Sequence, residues 1–131
     1  MKRYLFALIC LFGMVAHAED SPESRYRLVA HRGGVVEGAL VENSRPAIEA
    51  AIERGYWMVE MDIRETRDGV AIAQHDETFE RFYSEPSRVE SLDWETIRGL
   101  RAEDGTRPLS VAEFADLCQG RLEVMLDIKG P

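Results

Sequence analysis

The sequence predicts an α/β fold, a mainly parallel sheet joined by βαβ crossovers, with functional groups gathered at the C-terminal ends of the strands. Three observations carry this expectation: apolar strand-like runs alternate with helical stripes, Trp57 to Thr66 alternates with period two, and two helix starts carry serine caps. In chain order, Leu28, Val29 and Ala30 make a short strand over Arg27 to His31, ended by Gly33-Gly34 and followed by a loop to Ser44. A helix comes next: Ser44 suits its cap, Pro46 its first turn, Ile48, Ala51 and Ile52 an apolar stripe, and Gly55 its end. In the strand Trp57 to Thr66, Val59, Met61 and Ile63 point one way and Glu60 and Asp62 the other. Asp68-Gly69 signals a turn into a further short strand, Val70 to Gln74, which arrives at His75-Asp76. The stretch after it reads as a polar loop and Leu92 to Leu100 as a helix, while Ser110 with Glu113 forms a capping box for a helix over Val111 to Leu117. Leu122 to Lys129 is the last strand.

Composition narrows the class. With 45% hydrophobic and 31% charged residues, the chain is neither disordered nor a collagen-like or coiled-coil repeat. Lys2 and Arg3, an apolar run from Tyr4 to Ala16, and the small-x-small end Ala16-His17-Ala18 read as a secretory signal peptide cut after Ala18, so the expected location is periplasmic or extracellular. The apolar run reaches only ~20 Å as a helix, short of a ~30 Å hydrocarbon core, so no stable membrane anchor is expected. Cleavage leaves about 113 residues, one domain. The net charge of −8 becomes −10 once the two basic residues of the leader are removed, which argues against a nucleic-acid partner. Cys118 is then the only cysteine, so no internal disulfide forms, and its spacing from Val111 and Phe114 puts it on an apolar helix face.

Glu60 and Asp62 are two apart on one strand, with stems ~6.6 Å apart, so both reach one ion. Oxygen ligands of this kind suit calcium or magnesium; seen alone, the pair also fits a solvent-facing strand side. In the last strand Asp127 and Lys129 share one face, so a parallel neighbour would bring a third carboxylate and a cation to the same place. After the leader the chain holds two histidines, one lysine and one asparagine, and His31, His75, Lys129 and Asn43 all lie near strand ends or just before a helix. Arg32 beside His31 is a forked donor suited to a phosphate oxygen, and two imidazoles can serve as base and acid.

The ordered set His31-Arg32-Gly33, Glu42-Asn43-Ser44, Glu60-x-Asp62, Thr66-x-Asp68-Gly69, His75-Asp76, Arg81 and Asp127-Ile128-Lys129 resembles the glycerophosphodiester phosphodiesterase family from about Arg27 to Pro131. The resemblance implies a (β/α)8 TIM barrel, here truncated to roughly the first three β/α units, since a full barrel needs ~250 residues. It implies that Glu60, Asp62 and Asp127 hold the cation, that His31 and His75 are the acid–base pair, and that Arg32 and Lys129 hold phosphate oxygens. The implied substrate is a small glycerophosphodiester. The resemblance also implies the path: a hydroxyl adjacent to the phosphate attacks phosphorus, the P–O bond to the alcohol breaks and the alcohol leaves with a proton, and water then opens the cyclic phosphate to glycerol phosphate. Asn43 is expected to order its loop and cap the helix rather than touch substrate. The family pattern has glutamate where Asp127 stands, which tunes cation affinity, proline where Val41 stands, which is neutral, and small hydroxyl and glycine residues where Phe82-Tyr83 stand, which implies a different alcohol pocket.

Two other readings stay open at this level. One is an exported partial domain that binds a cation or phosphodiester without turnover; the other is a related phospholipase-type phosphodiesterase. An open partial barrel exposes strand edges, so self-association is expected too.

Overall fold

The computed structural model describes residues 26–34 and 41–130. The signal-peptide expectation falls outside the described residues. Strand β1 (Val29–Ala30) runs into a single 3-10 turn at His31–Gly33, helix α1 spans Arg45–Glu53, and β2 spans Met58–Glu65. β3 (Ala71–Ala73), β4 (Thr78–Phe79), α2 (Glu80–Tyr83), β5 (Glu85–Arg88), α3 (Trp94–Ile97), α4 (Val111–Cys118) and β6 (Glu123–Ile128) follow.

β2 is the hub of the main sheet. β1 pairs with its start in parallel (Val29 opposite Met58), β6 pairs along it in parallel from Met58–Glu123 to Ile63–Ile128, and β3 turns back on its end antiparallel (Ile63 opposite Ala73). The period-two alternation decides the two faces. Val59 and Met61 are fully buried with Ile48 and Ala51 of α1 and Phe114, Leu117 and Cys118 of α4, so both helices cover one face. Glu60 and Asp62 occupy the opposite face, together with Asp127 opposite Asp62. They are buried rather than solvent-facing, at 5% and 1% exposure.

Helix α1 begins where its sequence says: the Ser44 hydroxyl accepts from the Ala47 N–H at 3.4 Å, and Gly55 ends the segment with φ +71°. Three expectations change. The strand expected over Arg27 to His31 is limited to Val29–Ala30, because Arg32, Gly33 and Gly34 all take positive φ and turn the chain out of the sheet. The polar loop after His75 contains a two-stranded β4–β5 ladder around α2, whose Phe79 and Tyr83 pack edge to face at 6.0 Å. They join Val41, Ile72, Val89 and Ile97 in a second core. The helix expected over Leu92 to Leu100 shrinks to Trp94–Ile97, since Leu92 is extended and the Asp93 side chain is drawn away to Arg67 rather than capping.

The margins of the main sheet are apolar and open. Leu28, Val29, Trp57, Met125, Leu126 and Ile128 are exposed, with Ile128 at 78%. Among the described residues, no helix is long and apolar enough to cross a membrane.

The capping box at α4 generates a prediction. The Glu113 N–H donates to the Ser110 hydroxyl, the Ser110 N–H donates to Glu113 Oε2 at 3.0 Å, and Arg107 donates to both carboxylate oxygens. The Arg107 hydrogen bonds, followed by opposing burial, leave Glu113 below the usual carboxylate range. Its stabilisation is therefore complete above the unfolded glutamate value and is lost as pH falls through the lower folded value. Glu113→Gln is expected to lower stability by about 1 kcal/mol at neutral pH and to flatten the acid side of a melting-temperature profile. Parallel acid slopes for the two proteins would contradict this role.

Candidate active site

His31 and Arg32 follow β1, Glu60 and Asp62 lie within β2, His75 follows β3, Asp127 and Lys129 stand at the end of β6, and Asn43 precedes α1. The positions are set by backbone first. Arg32 holds φ +55°, a left-handed conformation that costs a non-glycine residue roughly 1–2 kcal/mol. It is clamped on both sides: its N–H donates to Glu60 Oε2 at 2.9 Å and its carbonyl accepts from the Asn43 N–H at 2.9 Å. Gly33 then lies against α1, where a Cβ would meet that of Ala47 at 3.0 Å, so the turn packs only with glycine.

Asp62 is the centre of the cluster. The Asn43 amide donates to its Oδ2 at 2.9 Å, and Asn43 Oδ1 accepts the Asp62 N–H at 3.2 Å. Asn43 is thus a clamp on Asp62, and the expectation that it caps α1 is corrected, since Ser44 takes that place. Arg32 Nε lies 3.4 Å from Asp62 Oδ2, and Lys129 Nζ lies 2.9 Å from Oδ1 and 2.5 Å from Asp127 Oδ2. Burial pushes the Asp62 carboxyl up, but the Asn43 hydrogen bond and the Lys129 ammonium outweigh it and hold the group below its usual range.

The residues fit a divalent cation. Glu60, Asp62 and Asp127 each offer a carboxylate oxygen, all within 4.8 Å of one another. Asp62 Oδ1 is buried, with the Lys129 ammonium 2.9 Å away as its nearest cation. The network counts five carboxyl groups (Glu42, Glu60, Asp62, Asp76 and Asp127) against Arg32, Arg81 and Lys129. That formal excess of two negative charges is what one divalent cation neutralises.

The histidines flank this cluster. The His31 ring is 73% exposed, with Nε2 3.8 Å from Glu60 Oε2. His75 Nδ1 lies 2.7 Å from Asp76 Oδ1. Arg32 is held by Glu42, through Nη1 at 3.2 Å from both carboxylate oxygens, so the arginine expected to meet phosphate rests on carboxylates. Sequence reasoning assigned no part to Glu42, Asp76 or Arg81. The signal for them was present, because each adjoins or follows a motif residue.

Residues 31–127 match the family model described as Glycerophosphoryl diester phosphodiesterase family. The chain is 31% identical over 119 residues to Glycerophosphodiester phosphodiesterase 1 of Homo sapiens, covering 83% of this chain and 35% of that protein. It is 34% identical over 96 residues to Lysophospholipase D GDPD3 of Homo sapiens, covering 70% and 30%. Among solved structures, the glycerophosphodiester phosphodiesterase from Agrobacterium tumefaciens aligns with a TM-score of 0.72 at 28% identity, over 78% of this chain and 46% of that one. The chain spans about a third of the length of these curated relatives. The family match, together with the acidic and histidine residues that β1, β2, β3 and β6 bring to one end of a partial TIM barrel, places the chain in the glycerophosphoryl diester phosphodiesterase family.

Proposed function

We propose that the chain supplies the reacting groups of a metal-dependent phosphodiesterase that hydrolyses glycerophosphodiesters to an alcohol and glycerol 3-phosphate. The observation that carries this reading is the convergence of Glu60, Asp62 and Asp127 beside two histidines and two cationic side chains at one end of the sheet. Glu60, Asp62 and Asp127 would hold calcium or magnesium; the bound cation supplies positive charge against developing negative charge on phosphoryl oxygens. Arg32 and Lys129 meet the same oxygens, exchanging their contacts with Asp62 and Asp127 for the phosphate while Glu42 keeps its hold on Arg32. His31, exposed at the rim, exchanges a proton with the hydroxyl or leaving oxygen of the substrate. His75 is tethered through Nδ1, which leaves Nε2 for the complementary proton transfer.

Two further parts of the reading concern setting. The leader Met1 to Ala18 supports export to the periplasm or the extracellular space. The exposed apolar residues on β6 and beside β1 favour pairing of the open sheet with another copy.

A lysophospholipid is the second substrate reading, favoured by the 34% identity to a protein named Lysophospholipase D. Phe82 lies under Arg81 and Tyr83 is buried against Phe79, so the expectation that this pair reshapes the alcohol pocket narrows to Phe82.

The test is release of glycerol phosphate from glycerophosphocholine, with calcium or magnesium and with a chelator, beside choline release from lysophosphatidylcholine. Chelator-sensitive glycerol phosphate supports the first reading, and turnover of the lysolipid alone supports the second. His31→Ala and His75→Ala are each expected to lower turnover by about 10²-fold or more while leaving cation affinity nearly unchanged. Full activity in either variant would remove that histidine from the acid–base pair. Asn43→Ala is expected to cost about 1–3 kcal/mol in urea unfolding, because Asp62 loses both hydrogen bonds that compensate its burial. An unchanged unfolding midpoint would show that Asn43 is not the clamp.

A further inference from the structure

Four charged side chains of alternating sign run from Arg32 to the edge of the imidazole of His75. Arg32 Nη1 donates to Glu42, Arg81 Nη2 donates to the same carboxylate, Arg81 Nε donates to Asp76 Oδ2 at 2.7 Å, and Asp76 Oδ1 meets His75 Nδ1 at 2.7 Å. We propose that Glu42, Arg81 and Asp76 are positioning residues that bind the guanidinium of Arg32 and the imidazole of His75 into one unit, an inference that rests on the phosphodiesterase reading for its purpose.

The geometry favours this over a set of surface ion pairs. Arg81 uses two different nitrogens on two different carboxylates, so the planar guanidinium sets the direction in which each carboxylate is held. Its guanidinium also lies 4.4 Å from the ring centroid of Phe82, which fixes its plane. The Glu42 side chain is only 11% exposed, so the central carboxylate is largely withdrawn from water. The chain of contacts ties together three separate segments: the turn after β1, the residues preceding α1, and the stretch from β3 to α2. Glu42, His75 and Asp76 also bring ligand atoms within 4.8 Å of one another, and in this structure both carboxylates are paired with arginines.

The relay has a chemical consequence at the imidazole. Asp76 accepts from Arg81 Nε through Oδ2 at 2.7 Å, and an ionised carboxylate has no proton to give to the imidazole that its Oδ1 faces. His75 therefore carries its neutral-state proton on Nδ1 and presents a lone pair on Nε2. A wrong tautomer would present a proton where a base is needed.

The test is ¹⁵N NMR of the histidine side chains in the 131-residue chain at mildly alkaline pH. The sequence has only three histidines, and His75→Gln assigns the signal. In the unsubstituted protein the Nδ1 resonance of His75 is expected in the protonated range and Nε2 in the unprotonated range; a predominant Nε2–H form overturns the proposal without recourse to any variant. Asp76→Asn, which offers an amide donor in the same shape, is expected to lose the Nδ1–H form. Glu42→Gln is expected to shift the His75 resonances when Arg81 is present and to leave them unmoved in an Arg81→Gln background; equal shifts in both backgrounds, or none in either, overturn the relay. The spectra decide this whether or not the chain turns over glycerophosphocholine, so absence of turnover would count against the activity and leave the relay to be judged by the tautomer.

Discussion

A carboxylate at 1% exposure, Asp62, constrains most of what surrounds it. A buried charge costs several kcal/mol unless it is paired and hydrogen-bonded, so the chain has to bring partners to it from elsewhere. They come from three directions: Asn43 from the residues before α1, Arg32 from the turn after β1, and Lys129 from the end of β6. Both Arg32 and Asn43 adopt left-handed backbone to do so, at φ +55° and +54°. Local conformational cost is thereby exchanged for electrostatic support at the one place where chemistry is proposed.

Register supplies the remaining constraint. Because β6 pairs with β2 in parallel with Asp127 opposite Asp62, the third carboxylate lies on the same face as the first two; a one-residue slip would send it to the helix-covered side. Within β2 the apolar half, Val59 and Met61, is fully buried under α1 and α4, which holds Glu60 and Asp62 on the other face. The hydrophobic pattern thus fixes the position of the acidic one. The sheet margins lack such cover, and their exposed Leu28, Met125 and Ile128 mark where a (β/α)8 barrel would continue.

The parts of this arrangement that depend on neighbours in sequence were legible there. Alternation along β2, the Ser44 cap and the Ser110–Glu113 capping box are local, and each appears where its residues predict. The acidic trio was legible too, because period-two spacing fixes the face and parallel pairing brings the two strands together. The β4–α2–β5 excursion was not, since Phe79 and Tyr83 make only one i, i+4 pair, too short a signal for a helix, and their burial with Val89 depends on Ile72 and Ile97 from other segments. The shortened α3 turns on Asp93 engaging Arg67, 26 residues away. The relay from Arg32 to His75 was hidden for the same reason: Glu42 and Arg81 are 39 positions apart, and only the fold shows that one guanidinium bridges two carboxylates.

The central claim is that β2 and β6 together build one cation site from Glu60, Asp62 and Asp127. A calorimetric titration of the chain with calcium and with magnesium, beside Asp62→Asn and Asp127→Asn, tests it most directly. One saturable site per chain is expected, weakened about tenfold or more in each variant, since loss of even an outer-shell partner costs that much. Absence of binding to the unsubstituted chain, or a variant that binds as tightly as the unsubstituted chain, would contradict the claim.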